Sequence, residues 1–213
     1  FQTEKWLSPE DCPELPTPRA GNMAMNWGNE IVVGGGESVA QKERWPVQLT
    51  DRLRADGFSF KSPKIIATTG WTTDELLNGI EESQIEGQVY DLVSLLIGVN
   101  NQYRGRSIEN FNKEFLILLD KSIEFAGGNQ KKVFVVSIPD YGVTPFGQQK
   151  NPEKIGKELD KFNDLQKQIC EDRGISFYNI TDFSREAKND LSLVAPDQLH
   201  PSGKMYSGWV DIF

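Results

Sequence analysis

The sequence predicts an α/β protein in which helices cover both faces of a mainly parallel sheet of about five strands. Three observations lead to this prediction. Strand-like runs alternate with helical patterns, two of these runs are apolar almost without interruption, and the 213 residues suit one compact unit. A strand that is apolar at nearly every position is expected where both faces of the sheet are covered. The predicted architecture is therefore a three-layer α/β/α sandwich.

The predicted strands are short apolar runs, each followed by polar or turn-forming residues. The runs "YDLVSLLIGV" and "KKVFVVSIP" are the most apolar, so we expect them at the centre of the sheet. The strand-like runs cover residues 30–33, 64–68, 90–99, 131–139 and 175–180.

The predicted helices lie between these strands. Apolar side chains recur on one face through residues 107–126 and 152–173, and shorter helices are predicted over 44–55 and 72–82. Ser107 suits an N-cap, and the glycine pair that follows residue 126 suits a helix end. Helices that connect parallel strands imply right-handed βαβ crossovers.

Residues 1–21 are predicted to form an irregular N-terminal arm, because "PEDCPELPTPRAG" is rich in proline and lacks periodicity. Residues 22–213 are predicted to form a single α/β domain. Cys12 and Cys170 form no metal or redox motif, and they either pair in an oxidising compartment or remain two thiols. No targeting segment is visible, so periplasmic, secreted and cytoplasmic locations all stay open.

The charge and hydropathy patterns argue against two classes of partner. The formal net charge is −8 and no Lys/Arg cluster stands out, so binding to nucleic acid or to an anionic membrane surface is not expected. The longest apolar run, "LVSLLIGV", is far shorter than the roughly 18 residues of a membrane span. The oligomeric state is not predicted from the sequence.

In parallel sheets, ligands bind beyond the carboxyl ends of the strands, so we expect a binding site among the loops at those ends. The loop sequences are "GGGES", "TGWTTDEL", "NNQYRGR", "DYGVTPFGQQ" and a long segment that contains "APDQLHPSG". Aromatic residues in these loops either shape a pocket or anchor the loops; they are Trp71, Tyr103, Tyr141 and Phe146.

The single histidine, His200, follows Asp197 by three residues. An aspartate at this spacing can accept a hydrogen bond from one ring N–H and so stabilise the imidazolium, as in a hydrolase triad. The alternative is a surface histidine near a helix start, with Asp197 acting as a cap. The spacing alone leaves both interpretations open.

Two further residues could stabilise negative charge at the same edge. Gly70 lies between a strand and a helix start, where a backbone N–H can donate to a developing oxyanion. Asn100 ends a buried strand and offers a side-chain amide. Each could equally belong to an ordinary turn.

Taken together, "TTGWTT", "IGVNN" and "DQLHPSG" resemble, in this order, the SGNH hydrolases, also called GDSL-type esterases and lipases. The resemblance runs from about Gly36 to the C-terminus, and segments such as "GESVAQKERWPVQL" are similar to a bacterial branch described as lysophospholipase-like esterases. It implies a flavodoxin-like SGNH hydrolase fold. It also implies hydrolysis of a carboxylic ester, with a small acyl or lysophospholipid-type substrate, through an acyl-enzyme and without metal or cofactor.

The resemblance also implies residue roles. His200 is expected to act as general base and then as general acid, with Asp197 orienting it. Gly70 N–H and the Asn100 side chain are expected to supply two oxyanion donors, and the backbone N–H of the nucleophilic serine a third.

The nucleophile departs from the family pattern, because the chain contains no G-D-S triplet. One register places this block on Gly36, Glu37 and Ser38, which makes Ser38 the expected nucleophile. A second register, aligned on "GESVAQKERWP", places the serine position on Val32 and leaves no nucleophile there. The second register would favour a catalytically impaired pseudoenzyme or binding protein on the same fold.

The glycines of "VVGGGESVA" also suggest a dinucleotide loop, but the pattern fits poorly. Gly34 and Gly36 suit its first two positions, whereas Val39 occupies the last. No acidic residue ends the next strand, and no G-K-[ST] of a phosphate loop is present. We therefore do not expect a bound nucleotide.

Overall fold

The computed structural model describes residues 30–33, for which only the backbone is considered, and residues 38–213. These residues form a five-stranded sheet in which every neighbouring pair of strands is parallel. The strand order is β2-β1-β3-β4-β5. The strands are β1 (Glu30–Val33), β2 (Lys64–Ile66), β3 (Leu92–Leu95), β4 (Val133–Val136) and β5 (Ser176–Tyr178). The predicted sheet of about five parallel strands is confirmed.

The register brings the carboxyl ends of the strands to one edge of the sheet. Val33, the last residue of β1, pairs with Ile66 of β2 and Leu95 of β3. Leu95 in turn pairs with Val135, one residue before β4 ends. The loops that follow these strands therefore emerge side by side.

The described residues contain eight α-helices. The helices predicted from periodicity correspond to the first, second, fourth and sixth of them, within one or two residues at each end. The helices are α1 (Trp45–Ala55), α2 (Thr73–Glu82), α3 (Val99–Tyr103), α4 (Ile108–Phe125), α5 (Pro145–Gln148), α6 (Pro152–Arg173), α7 (Thr181–Arg185) and α8 (Gly203–Val210). Ser107 caps α4 as predicted, since its side chain accepts a hydrogen bond from Asn110 N–H.

Helices cover both faces of the sheet. On one face, α2, α4 and α6 pack against Val133 and Val135 of β4. On the other face, α1 and α8 pack against Phe134 and Val136. All four β4 residues are buried, which explains the nearly continuous apolar run. The three-layer α/β/α fold class is confirmed.

The long apolar run at residues 90–99 contains a strand of only four residues, β3. Ile97 is buried beyond the end of the strand, and its carbonyl accepts a hydrogen bond from the Gln166 side chain of α6 instead of a neighbouring strand. The continuous apolar run therefore indicates burial, and this burial continues beyond the last β3 residue that pairs with a neighbouring strand.

Several sequence predictions lie outside the described residues. These are the irregular arm over residues 1–21, Cys12 and the glycines from Gly34 to Gly36. Cys170 of α6 is a buried free thiol, and burial raises its pKa to about 12. The single domain over residues 22–213 stays a prediction. Within residues 38–213, no helix is both long and apolar enough to cross a bilayer.

Candidate active site

A cavity of about 330 Å³ lies at the carboxyl edge of the sheet. Its walls come from the loops after β2, β3 and β4 and from the segment before α8. Gly70, Asn100 and His200 all line it. The fold therefore brings together three of the five predicted site residues, which are far apart in the sequence.

Asp197 holds the imidazole of His200 directly. The His200 Nδ1 atom lies 2.6 Å from Asp197 Oδ2. Because an ionised carboxylate can only accept, the ring hydrogen in this contact belongs to Nδ1, and in the neutral ring Nε2 carries the lone pair. Among the described residues none forms a hydrogen bond with Nε2. The side chain of His200 is 33% exposed and lines the cavity.

The same carboxylate also shapes the turn that carries the histidine. Asp197 Oδ1 accepts hydrogen bonds from the backbone N–H groups of Leu199 and His200, each at 3.0 Å. Ala195 N–H donates to the His200 carbonyl at 2.7 Å and closes the turn. The cap interpretation and the triad interpretation of Asp197 are therefore compatible, since one oxygen serves the backbone and the other serves the ring.

The environment of Asp197 favours its charged form. Partial burial raises its pKa, but hydrogen bonds from Ser38, His200 and Leu199 outweigh that effect and hold the pKa well below its usual range. The depressed pKa means that these hydrogen bonds contribute stability at neutral pH and that the contribution is lost as the pH falls through the folded-state pKa. At neutral pH the carboxylate is ionised, as a partner for an imidazolium must be.

Ser38 lies beside this pair, but its hydroxyl is hydrogen-bonded to Asp197. Among the described residues no hydrogen bond joins Ser38 to the His200 ring. Val32, the serine position of the second register, lies inside β1 and pairs with Ile65 and Ser94. The choice between the two registers therefore stays a prediction.

Gly70 takes a backbone conformation that favours glycine, with φ +91°. Its carbonyl accepts a hydrogen bond of 2.7 Å from Arg104, whose guanidinium also pairs with Glu75 at 2.9 Å. No described residue accepts a hydrogen bond from Gly70 N–H. The loop is thus fixed through the Gly70 carbonyl.

Asn100 sits in the first turn of α3, immediately after a tight approach of the chain to the core. Gly98 precedes it with φ +124°, and a Cβ there would lie 2.6 Å from Ile138 Cδ1. The Asn100 amide nitrogen donates to the Trp71 carbonyl at 3.0 Å. This bond uses one of the two amide hydrogens and orients the side chain, which lines the cavity.

Aromatic rings form one rim of the cavity. The four loop aromatics named from the sequence all line it: Trp71, Tyr103, Tyr141 and Phe146. The rings of Tyr103 and Tyr141 meet edge to face at 5.9 Å, and Lys150 Nζ lies 5.2 Å from the Tyr103 centroid and 4.8 Å from that of Phe146. Tyr103, Tyr141 and Phe146 are thus held by a ring contact or by the Lys150 cation, which gives this part of the rim a defined shape.

Sequence reasoning missed the residues that connect the loops. Arg104 fixes the Gly70 carbonyl, and Asn101 contacts Thr73 with both ends of its amide. The second asparagine in "GVNN" is a sequence feature that could have indicated Asn101, whereas no pattern near Arg104 indicates its contact with Gly70. Within residues 38–213, no group of three or more His, Cys, Asp or Glu side chains could hold a metal ion.

The family follows from a comparison with known proteins. Residues 27–207 match the GDSL-like Lipase/Acylhydrolase family. The chain belongs to this family, and its class is that of the carboxylic ester hydrolases. The resemblance to the SGNH, or GDSL-type, hydrolases is thereby confirmed. No curated protein sequence matches the chain.

Solved structures of esterases share the fold. TesA is 14% identical, with 86% of this chain and 94% of that chain covered and a TM-score of 0.65. Axe2, an acetylxylan esterase from Geobacillus stearothermophilus, is 18% identical, with coverage of 89% and 94% and a TM-score of 0.64. EstA, a psychrotrophic esterase from Pseudoalteromonas sp. in a structure inhibited by monoethylphosphonate, is 21% identical, with coverage of 86% and 93% and a TM-score of 0.60. At these identities the similarity establishes the fold.

Proposed function

We propose that the protein is a serine esterase that hydrolyses carboxylic esters through an acyl-enzyme, with Ser38 as nucleophile. The observation that carries the proposal is the Asp197–His200 pair, 2.6 Å apart, beside a cavity that Gly70 and Asn100 also line. A base oriented by a carboxylate, next to two potential oxyanion donors, is the arrangement that acyl transfer requires.

In the acylation step, Ser38 Oγ attacks the ester carbonyl carbon while His200 Nε2 takes the hydroxyl proton. The carbonyl oxygen becomes an oxyanion, which accepts hydrogen bonds from Gly70 N–H, the Asn100 amide and Ser38 N–H. The tetrahedral intermediate collapses, the ester C–O bond breaks, and His200 returns the proton to the leaving alcohol.

In the deacylation step, water replaces the alcohol. His200 Nε2 takes a proton from the water as its oxygen attacks the acyl carbon, and the imidazolium then protonates Ser38 Oγ as the acid leaves. Asp197 stays ionised in both steps and stabilises the transient imidazolium.

The mechanism requires the Ser38 hydroxyl to change partners. The hydroxyl is hydrogen-bonded to Asp197, the residue that also accepts from His200 Nδ1. A side-chain rotation towards Nε2 would place it for attack, and catalytic hydrogen bonds often tighten only when substrate binds.

The size and lining of the cavity support small acyl groups. A volume of about 330 Å³ lies near the lower end of the range for small-molecule sites, roughly 300–1,000 Å³. Axe2, which shares the fold, is an acetylxylan esterase, and an acetyl ester is consistent with a cavity of this size. The aromatic rim suits the apolar part of an alcohol or of a lysophospholipid-type ester.

A second candidate function is binding without turnover on the same fold. The observation that favours it is the hydrogen bond of Ser38 to Asp197, together with the missing G-D-S triplet. A protein of this kind would keep the cavity and the Asp197–His200 pair but would lack a working nucleophile.

Labelling with a fluorophosphonate probe separates the two functions. We expect covalent labelling at Ser38, found by peptide mass spectrometry, and hydrolysis of p-nitrophenyl acetate.

The matched variants are Ser38→Ala, which should abolish labelling and turnover, and Ser59→Ala, which should leave both unchanged. Ser59 is an exposed serine in the loop between α1 and β2. If the folded wild-type protein is neither labelled nor active, the esterase proposal is wrong and the binding function is favoured.

A further inference from the structure

A buried polar cluster joins the loop of Gly70 to the loop of Asn100. Asn101 is fully buried, and both ends of its amide contact Thr73. Asn101 Oδ1 accepts from Thr73 N–H at 3.2 Å, and Asn101 Nδ2 donates to the Thr73 hydroxyl at 2.7 Å. The Thr73 hydroxyl donates to Glu114 Oε2, which extends the cluster to α4. We call Thr73, Asn101 and Glu114 the clamp.

The clamp sits where it can set the distance between the two proposed oxyanion donors. Thr73 begins α2, three residues after Gly70, and Asn101 follows Asn100 directly in α3. Each clamp residue is thus separated from a donor by a short stretch of fixed backbone. The same two loops are also joined by hydrogen bonds from Asn100 Nδ2 to the Trp71 carbonyl and from Arg104 to the Gly70 carbonyl. Exposed ion pairs such as Arg104–Glu75 add little individually, and the clamp is the fully buried part of this connection.

Hydrogen-bond polarity explains why position 101 requires an amide. Thr73 has one hydroxyl hydrogen, and it is given to the Glu114 carboxylate. The Thr73 hydroxyl oxygen must therefore accept a hydrogen bond from the side chain at position 101. The Thr73 N–H group, in turn, needs an acceptor on that same side chain. An asparagine supplies a donor and an acceptor together, which neither an aspartate nor an apolar residue does.

We propose that Asn101 is a positioning residue, which acts through Thr73 and Glu114 to hold Gly70 N–H and the Asn100 amide in the geometry of one oxyanion site. The inference rests on the proposed ester hydrolysis and adds a residue that does not contact substrate. A displacement of about 1 Å between such donors can cost roughly 10²-fold in rate. Buried directional hydrogen bonds prevent that displacement, because an unpaired buried group would result from it.

The first test compares Asn101→Ala with Asn163→Ala. Asn163 is a matched control: it is also buried, and its amide joins α6 to the Ile138 backbone and the Thr181 hydroxyl. We expect Asn101→Ala to lower kcat for p-nitrophenyl acetate about 10- to 100-fold with KM nearly unchanged, since transition-state contacts are lost selectively. Asn163→Ala should destabilise the fold similarly with a much smaller fall in kcat.

A second readout does not depend on turnover. ¹⁵N relaxation of the Asn100 side-chain amide, assigned with Asn100→Ala, should show a rigid group in the wild type and in Asn163→Ala. The same group should become mobile in Asn101→Ala. If the wild type does not hydrolyse esters, the proposed function fails, and this readout still decides whether Asn101 positions Asn100.

Reversal of the hydrogen-bond polarity gives a rescue test. Asn101→Asp places two acceptors against the hydroxyl hydrogen of Thr73, so kcat should fall. Adding Glu114→Gln supplies a donor on the other side, and the Thr73 hydroxyl can then turn to the new carboxylate at position 101. We expect the double variant to recover most of the lost kcat. Its Asn100 side-chain amide should again be rigid. Either of two results would overturn the proposal. The first is a folded Asn101→Ala protein that keeps a rigid Asn100 amide and the wild-type kcat. The second is a double variant whose kcat is no higher than that of Asn101→Asp.

Discussion

The substitution Asp197→Asn tests the role of the Asp197–His200 contact. The Nδ1 hydrogen now points at a carboxylate oxygen 2.6 Å away. An amide nitrogen at that place would donate to Nδ1, so the ring hydrogen would move to Nε2 and the base nitrogen would lose its lone pair. In hydrolase triads the wrong tautomer lowers kcat by about 10⁴. At 1.36 kcal/mol per tenfold, this corresponds to about 5 kcal/mol of transition-state stabilisation.

The fold should survive this change. The amide oxygen can still accept from the N–H groups of Leu199 and His200, which Asp197 Oδ1 contacts at 3.0 Å. The Asp197 side chain is 39% exposed, so water can replace much of what is lost. We expect the free energy of unfolding to change by about 1 kcal/mol or less.

Two measurements check the prediction. The first is kcat for p-nitrophenyl acetate, and the second is the ¹⁵N spectrum of the imidazole, which an untagged chain with one histidine makes unambiguous. Asp190→Asn is the matched control, because Asp190 likewise accepts from Ser192 N–H in a turn but pairs with Lys204 and not with the His200 ring. Turnover of Asp197→Asn within tenfold of the wild type, or a ring hydrogen that stays on Nδ1, would refute the reasoning.

Two further substitutions test the site and the backbone that carries it. Asn100→Ala should lower kcat by roughly 10²–10³, or about 2.7–4 kcal/mol, because one oxyanion donor is removed; a change confined to KM would instead assign Asn100 to substrate binding. Gly98→Ala should lower the free energy of unfolding in urea by about 2–4 kcal/mol, because φ is +124° and the new Cβ would lie 2.6 Å from Ile138 Cδ1. An unchanged unfolding midpoint would contradict the close packing at Gly98.

The central layers of the fold could be predicted because their signals are local. The apolar stripe of α4 places Phe111, Phe115 and Leu118 on one face, and all three are buried in the core. The alternation of such helices with apolar strands leaves a parallel sheet as the simplest arrangement. Strand ends were less predictable, since burial at Ile97 continues past the last ladder pair of β3.

The candidate site could be predicted in part, because its residues occur in short blocks after the strands. Asp197 and His200 share one turn, so their contact follows from a spacing of three residues. The hydrogen-bond partner of the Ser38 hydroxyl could not be predicted from sequence spacing. This hydroxyl contacts Asp197, a residue far along the chain, and only the packing of the loops decides which oxygen or nitrogen it reaches.

By itself, the sequence determined the alternation of strands and helices, the family and the blocks that carry Gly70, Asn100 and His200. These properties depend on periodicity and on residues close together in the chain. Only the tertiary structure decided that Asn101 contacts Thr73 and that Arg104 holds the Gly70 carbonyl. Such contacts join loops about 30 residues apart, and their geometry is set by how α2, α3 and α4 pack, which no local pattern encodes.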